Sequence, residues 1–460
     1  MSPVLIAVGV VVGETVGAPD GVDEWDPAVL ELVEFVERER ELRFDHPVRI
    51  DHLTETEFRE EITVGSDVVH PLDQLDADRE AARLRALGLI DGDVDLLVVG
   101  DEVSVASVAA LYDPVEKRIL IRGNAGTPDP GLRLTLVHEL VHALQDQHFD
   151  LERLDRIVDD EQYGAARALA EGDARVIEDL YYDSLLIFEQ RAVDEYRDGF
   201  VRDGPLDGAA AVLDLSWSAP YVFGPALIAG LYRENGNAAI DAAFRNLPMS
   251  DEHVLDPRQF VHGPDRVRFV DVPALRADED ERARTTFGAL QLYLMLSERI
   301  SAHDALAATD GWGGGRAVTF ADADGSECLR ASLAGDTERD TSEMFEALQA
   351  WAEAGPSGAA DVDRRSEQIA LTACDPGTTE QFVTGASTEA FALPAVRSDF
   401  FRWYADSGEA IDVAWCVGAT IVDRSTVEQL YDPQGTFYES TEFFALLDDT
   451  EAECGVTPID

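Results

Sequence analysis

Residues 137–148 read "VHELVHALQDQH" and hold three of the chain's nine histidines. His138 and His142 are four positions apart, and Glu139 directly follows the first. Residues i and i+4 lie one above the other on an α-helix, so both imidazoles can reach one point. The alternative is a pair of core histidines satisfied by hydrogen bonds, but the spacing favours a metal-binding helix.

The flanking sequence predicts where this helix begins and ends. Asp129 is suited to cap it and Pro130 to occupy its first turn, and apolar residues on nearly every face predict burial. Past the second histidine, Asp146 can brace His142 and His148 can supply a further ligand. The more ordinary interpretation, residues at a helix end, is favoured for both.

Two imidazoles four residues apart are typical ligands of zinc, which binds imidazole nitrogen at about 2.0–2.1 Å in a tetrahedral arrangement. A catalytic zinc has three protein ligands and one open position. Glu139 projects beside the predicted ion rather than onto it, where a general base can deprotonate a metal-activated water. The stretch therefore predicts a Zn²⁺ hydrolase site.

The predicted third ligand comes from residues 169–180, "LAEGDARVIEDL", on a second helix that starts near residue 160. Glu171 lies at the edge of the apolar face of this helix and is the favoured ligand, with Glu178 as the alternative. Asp173 lies inside that face, where a carboxylate needs a partner. It is predicted either to accept the ring N–H of a ligating histidine or to form a structural salt bridge.

The combination of "HELVHALQDQH" with "AEGDA" on the following helix resembles the gluzincin branch of the zincin metallopeptidases, the clan of thermolysin-like and aminopeptidase-like enzymes. "AEGDA" is similar to the E-G-x-A signature of the aminopeptidase-like members. The resemblance covers about residues 100 to 235. It implies His138, His142 and Glu171 as zinc ligands and Glu139 as general base.

The same resemblance implies one more catalytic residue, a tyrosine in a Y-x-x-G motif that stabilises the oxyanion. Residues 221–224 read "YVFG", so Tyr221 takes this role, while simple packing is the alternative. His253 and His262 are alternative donors. The G-A-M-E-N motif of aminopeptidases is missing from the sequence, which argues against aminopeptidase specificity.

The charge of the chain excludes several classes of partner. Among 460 residues, 92 are acidic and 36 basic, a net charge of −56, and Lys117 is the only lysine. Such a surface repels nucleic acid and anionic membranes. The acidic residues are spread along the sequence, which favours adaptation to high salt over steering of a substrate.

The predicted fold class is α+β. Residues 21–300 are predicted to form a zincin-like metallopeptidase domain, a small mixed sheet plus a helical subdomain, and residues 301–460 a C-terminal α/β accessory domain. In the latter, "IDVAWCVGATIVD" at 411–423 is interpreted as a strand within a repeated strand–strand–helix unit, which suggests an internal duplication.

The termini and cysteines indicate an extracytoplasmic location, secreted or in the cell envelope. Residues 1–20 fit a leader segment, although a basic start is missing, and a first buried strand is the alternative. No transmembrane span is predicted, since the apolar run 4–12 is shorter than the ~20 residues that cross a bilayer. The four cysteines, all in the last third, favour two disulfides over free thiols, with the pairing open.

The sequence thus predicts zinc-dependent hydrolysis of a peptide or protein substrate, which the edge strand 105–113 can bind by β-pairing. The alternative is a non-catalytic envelope protein with a structural zinc site and a partner-binding C-terminal domain. Glu139 favours the first, because a structural site has no use for a carboxylate there. The oligomeric state is left open.

Overall fold

The computed structural model describes residues 24–62, 71–100, 109–123, 126, 128–198, 208–263, 267–432 and 434–457. The predicted leader, residues 1–20, lies outside these ranges. Helices and two sheets make up the described chain, so the predicted mixed α+β class is confirmed.

The first half of the described chain includes seven α-helices and one 3₁₀ helix, Leu151–Arg156, and residues 96–100 are also helical. The α-helices are α1 (Leu30–Arg40), α2 (Glu55–Ile62), α3 (Pro71–Ala86), α4 (Pro130–Phe149), α5 (Asp160–Ser184), α6 (Ile187–Asp198) and α7 (Gly208–Arg245).

The second half adds ten α-helices in the described ranges. They are α8 (Glu252–Leu255), α9 (Arg258–Val261), α10 (Ala289–Ser297), α11 (Ala302–Thr309), α12 (Glu338–Ala354), α13 (Ala386–Ala390), α14 (Ala392–Asp406), α15 (Ile411–Arg424), α16 (Val427–Leu430) and α17 (Thr441–Cys454).

The smaller sheet has three strands, β1 (Arg49–Leu53), β2 (Ala110–Asp113) and β3 (Arg118–Arg122), in the order β1-β3-β2. β1 pairs with β3 in parallel and β2 pairs with β3 antiparallel, which leaves β2 at an edge. Apolar residues of β2, β3, α1 and α4 share one core cluster. The sheet therefore serves as the support on which the histidine-bearing helix α4 lies.

Helix α4 begins as its sequence predicts. Asp129 accepts a hydrogen bond from the backbone N–H of Leu132 at 2.8 Å, and Pro130 follows it in the first turn. Leu136, Val137 and residues on the other faces are buried, because the helix packs against the sheet, α1 and α5. A helix held on several sides presents its polar side chains in fixed directions.

Helices α5 and α7 cross backbone to backbone. A Cβ added at Gly172 would lie 2.3 Å from the carbonyl carbon of Gly224, and one added at Gly224 would lie 2.2 Å from the carbonyl oxygen of Ala168. Only glycine allows such an approach without displacing the helices. Because Gly172 follows Glu171 and Gly224 ends the Y-x-x-G motif, this crossing brings Glu171 and Tyr221 into the same region.

One helix in the described ranges is long and apolar enough to cross a membrane, Ala211–Arg245, and 61% of its most apolar window is buried in the structure. It lies within α7, which packs against α5 and α14. The chain bends at Asn235 and Gly236, whose backbone is not helical. Its apolar character is accounted for by its place in the protein core.

The larger sheet is antiparallel throughout, in the order β4-β5-β6-β8-β7. Its strands are β4 (Asp280–Thr286), β5 (Trp312–Ala321), β6 (Glu327–Gly335), β7 (Ala360–Arg365) and β8 (Gln368–Cys374). The sheet takes strands from both sides of residue 301, and a domain boundary at that position stays a prediction.

The strand predicted at residues 411–423 is wrong, because this segment forms α15. Its buried residues include Ala414, Trp415, Gly418 and Ile421, three or four apart as on one face of a helix. A nearly continuous apolar run does not separate strand from helix by periodicity alone. The second strand–strand–helix unit, and with it the internal duplication, is therefore not found.

All four cysteines form disulfides, as the sequence predicts, with the pairs Cys328–Cys374 and Cys416–Cys454. The first pair joins the neighbouring strands β6 and β8, and the second ties α15 to α17. Each pair cross-links elements that already pack together.

Candidate metal centre

Three side chains from α4 and α5 converge on one point. The Nε2 atoms of His138 and His142 are 3.1 Å apart, and each lies 3.2 Å from Oε2 of Glu171. In a tetrahedral zinc site with bonds of about 2.0–2.1 Å, ligand atoms are separated by about 3.3 Å. The described residues thus bring the predicted ligand set together at the spacing that one ion requires.

The outer nitrogen of each imidazole contacts an acceptor. His138 Nδ1 lies 3.2 Å from Glu178 Oε2, and His142 Nδ1 lies 3.0 Å from Gln145 Oε1. Gln145 Nε2 donates elsewhere, to the Ala170 carbonyl and to Asp173, which leaves Oε1 to accept from His142. With a metal ion bound, each ring would donate its Nδ1–H to these acceptors and direct its Nε2 lone pair inward.

Of the two roles predicted for Asp173, the structure shows the salt bridge. Its carboxylate pairs with Arg40 at 3.0 Å, and both side chains are 1% exposed. It also accepts a hydrogen bond from Gln145 Nε2 at 2.9 Å, so it orients His142 through Gln145. The histidine-orienting carboxylate is Glu178, which the sequence suggested only as an alternative ligand.

The second oxygen of Glu171 faces a cation. Arg167 Nε lies 3.6 Å from Oε1, and its guanidinium lies 4.2 Å from the centre of the Trp217 ring. Burial by itself raises the pKa of Glu171, but His142, His138 and Arg167 outweigh it and hold this pKa well below its ordinary value. Glu171 is thus an ionised carboxylate with Oε2 free to face the two histidines.

Arg167 was missed in the sequence, although its position four residues before Glu171 on one helix is a recognisable ion-pair spacing. Trp217 lies on α7 and joins the site only through the crossing of α5 and α7. The sequence around Arg167 or Trp217 does not predict the contact between them.

Glu139 is fixed beside the ligands by the edge strand. Its Oε2 accepts the backbone N–H of Tyr112 in β2 at 2.7 Å, and the residue is 6% exposed. Burial raises the pKa of Glu139 above its ordinary value, partly opposed by the neighbouring His138 and His142. A buried carboxylate with a raised pKa is suited to accept and return a proton.

Tyr221 lies in the same region. Its ring stacks on His138 with 6.1 Å between centroids and 22° between planes. Burial, and then the Glu171 carboxylate, raises the pKa of Tyr221 well above its ordinary value. The phenol therefore keeps its proton and remains a hydrogen-bond donor. The two histidines predicted as alternative donors to the oxyanion contact other residues. His253 accepts the Met249 N–H at 3.2 Å, and His262 contacts Asp412 at 3.3 Å.

Asp146 and His148 form contacts at the end of helix α4 and are not among the converging ligands. Asp146 accepts hydrogen bonds from Lys117 Nζ at 2.8 Å and from the Tyr112 hydroxyl at 2.6 Å, and His148 contacts the Arg43 carbonyl at 2.8 Å. The sole lysine thus anchors the β2–β3 turn to α4, and with it the backbone that holds Glu139.

A family model described as "Domain of unknown function (DUF8575)" matches residues 274–391. This segment runs from the start of the larger sheet to α13 and contains none of the candidate metal-centre residues. No curated protein and no solved structure matches the chain.

Proposed function

We propose that this chain is a zinc-dependent metallopeptidase of the gluzincin type, built on a zincin-like domain. The observation that supports it most is the convergence of His138 Nε2, His142 Nε2 and Glu171 Oε2 within 3.1–3.2 Å of one another. Glu139 beside this set favours catalysis over a structural site, because a closed site would not keep a buried carboxylate next to its ligands.

The donor set fits a divalent cation on chemical grounds. Two imidazole nitrogens and a carboxylate oxygen face each other, an arrangement that a positive charge between them stabilises. Burial lowers the pKa of His138, yet Glu171 and Glu178 outweigh it and raise that pKa well above its ordinary value. A positive charge is therefore favoured at this point, and nitrogen with carboxylate ligands is typical of zinc.

When bound by His138, His142 and Glu171, zinc supplies a Lewis acid that polarises a carbonyl and lowers the pKa of water. The remaining steps belong to the chain. Glu139 takes the proton of the attacking water and passes it to the leaving amine. Tyr221 donates its hydroxyl proton in a hydrogen bond to the oxyanion of the tetrahedral intermediate.

Substrate binding is proposed at the edge of the smaller sheet. In the described ranges β2 is an outer strand, and its Tyr112 N–H holds Glu139, so this edge and the proposed base lie side by side. An extended peptide added to this edge would pass close to Glu139. Residues 105–108 of the predicted strand lie outside the described part of the chain.

We place the protein in an extracytoplasmic compartment, secreted or in the cell envelope. The two disulfides support this, because such bonds persist in oxidising surroundings. A peptide or protein is the proposed substrate, and nucleic acid is not proposed as a partner on account of the net charge of −56.

Chelation tests the proposed function directly. Casein hydrolysis in high salt is expected to stop with 1,10-phenanthroline, to continue with the non-chelating 1,7-isomer, and to return when zinc is added back. Full hydrolysis by protein shown to be free of metal would contradict the proposal. So would an inert protein that holds stoichiometric zinc.

Tyr221→Phe is expected to lower kcat by about 10²–10³-fold with zinc content and KM little changed, because the variant keeps the ring that stacks on His138 and loses the hydroxyl proposed to bind the oxyanion. Peptide hydrolysis by the variant and by Tyr232→Phe, an exposed tyrosine on the same helix, gives the comparison. An unchanged kcat for Tyr221→Phe would assign this residue to packing against His138.

A further inference from the structure

A cavity of about 310 Å³ lies between α3, α5, α7, α8 and α10, and none of the proposed zinc ligands lines it. Its inner walls are apolar, formed by residues such as Leu84, Phe223, Val254 and Leu294. This volume is within the range of small-molecule sites, and most such sites combine apolar walls with a few polar groups.

The arginines that line the cavity are already neutralised. Each forms an ion pair with an acidic residue of the same lining, and the pairs are Arg79–Asp76 at 3.2 Å, Arg83–Glu80 at 2.5 Å and Arg282–Glu327 at 3.0 Å. The lining holds three more carboxyl groups, those of Asp160, Glu161 and Asp251. The charge left over in the cavity is therefore negative.

Glu161 and Asp251 lie together at one end. Asp251 accepts the backbone N–H groups of Ala289 and Leu290 at 3.0 and 2.8 Å, so the start of α10 stabilises its negative charge. Oε2 of Glu161 is buried and has no hydrogen-bond partner among the described residues. Its neighbour is the Asp251 carboxylate, a second acceptor.

The backbone is shaped around this carboxyl group. A Cβ at Gly288 would lie 1.9 Å from Oε1 of Glu161, so the glycine leaves room for the Glu161 side chain against the start of α10. Burial, and then Asp251, raises the pKa of Glu161 well above its ordinary value. A second negative charge beside Asp251 is thus disfavoured, and a bound cation would offset it.

We propose that this cavity binds a primary ammonium group attached to an apolar body, with the ammonium between Glu161 and Asp251 and the hydrocarbon along the apolar walls. Two neighbouring carboxyl groups favour a cation with several N–H groups and disfavour a carboxylate of the same length. The ammonium can belong to a free amine or to the N-terminus of an apolar peptide. This proposal does not depend on the peptidase proposal.

Isothermal titration calorimetry with hexylammonium, hexanol and hexanoate tests it in high salt, since a buried contact is screened less than a surface one. Hexylammonium is expected to bind about tenfold or more tightly than hexanol, and hexanoate more weakly than either. Leucyl-leucinamide is the probe for the peptide source: binding as tight as hexylammonium indicates a peptide N-terminus, and weaker binding a free amine.

Glu161→Gln is expected to reduce the affinity for hexylammonium to that for hexanol. It should fold, because glutamine has nearly the shape of glutamate and adds no charge beside Asp251. Glu346→Gln, an exposed glutamate on α12, is the matched control and should keep the preference. Leu213→Trp fills the cavity and should weaken all three ligands together.

Equal binding of hexylammonium and hexanol by the parent protein would overturn the proposal, as would an undiminished preference in Glu161→Gln or a failure of all probes to bind. The titration needs no hydrolysis and is repeated after treatment with 1,10-phenanthroline, which should leave it unchanged. Its outcome is therefore separate from that of the peptidase assay.

Discussion

Glu139→Gln will lower peptide hydrolysis by about 10²–10⁴-fold while zinc stays bound, because the amide cannot take a proton from water. The change is nearly isosteric, and the Gln carbonyl oxygen can still accept the Tyr112 N–H that fixes this side chain at 2.7 Å in the parent. Steady-state kinetics on a fluorogenic peptide and zinc content per chain are the two measurements.

Glu116→Gln is the control for this substitution. It changes an exposed glutamate in the β2–β3 turn, four residues from Tyr112, and should leave both activity and zinc unchanged. If the parent and Glu139→Gln hydrolyse casein equally while both retain zinc, the site is structural. The non-catalytic envelope protein then becomes the better description.

Asp173→Ala will lower the free energy of unfolding by about 3–5 kcal/mol, because it leaves the buried guanidinium of Arg40 without its fully buried carboxylate partner. Arg40 is 1% exposed and links Asp173 on α5 to Asn237 and Asp241 on α7. The substitution also removes one of the two acceptors that orient Gln145, which in turn contacts His142. The zinc affinity of Asp173→Ala should therefore fall about 10–100-fold. Denaturant unfolding at constant salt gives the free energy.

Asp241→Ala is the comparison within the same cluster. Asp241 also contacts Arg40 at 3.0 Å but is 17% exposed, and its loss should cost on the order of 1 kcal/mol. A free energy of unfolding within about 1 kcal/mol of the parent for Asp173→Ala would show that Arg40 is satisfied without it.

The spacing of residues along each helix was sufficient to predict that the three proposed ligands lie close together. His138 and His142 lie on one face of α4 because an i, i+4 pair must, and Glu171 follows from an apolar face with a carboxylate at its edge. The turn and cap at Asp129 were equally local, since a capping residue bonds backbone a few positions away.

Contacts between helices that are far apart in the chain could not be predicted from the sequence. Asp173 and Glu178 lie on the same helix, and either can approach a histidine on α4. The choice depends on Arg40, which lies 133 positions before Asp173 and takes that carboxylate. Arg167 over Trp217 likewise requires the crossing of α5 and α7. Side-chain identity gives the chemistry of such contacts but not the partner.

The C-terminal region shows a different limit. Residues 411–424 are apolar enough that strand and helix explain them equally well, and only the burial of residues three or four apart identifies α15.

Zinc content of the parent and of Glu171→Ala, measured by mass spectrometry of the metal after dialysis in high salt, tests the proposed centre most directly. We predict about one zinc per chain in the parent and loss of stoichiometric zinc in Glu171→Ala, with Glu116→Gln as the unaffected control. A parent protein that binds no zinc, or a Glu171→Ala protein that keeps its full zinc content, would contradict the assignment of these three ligands.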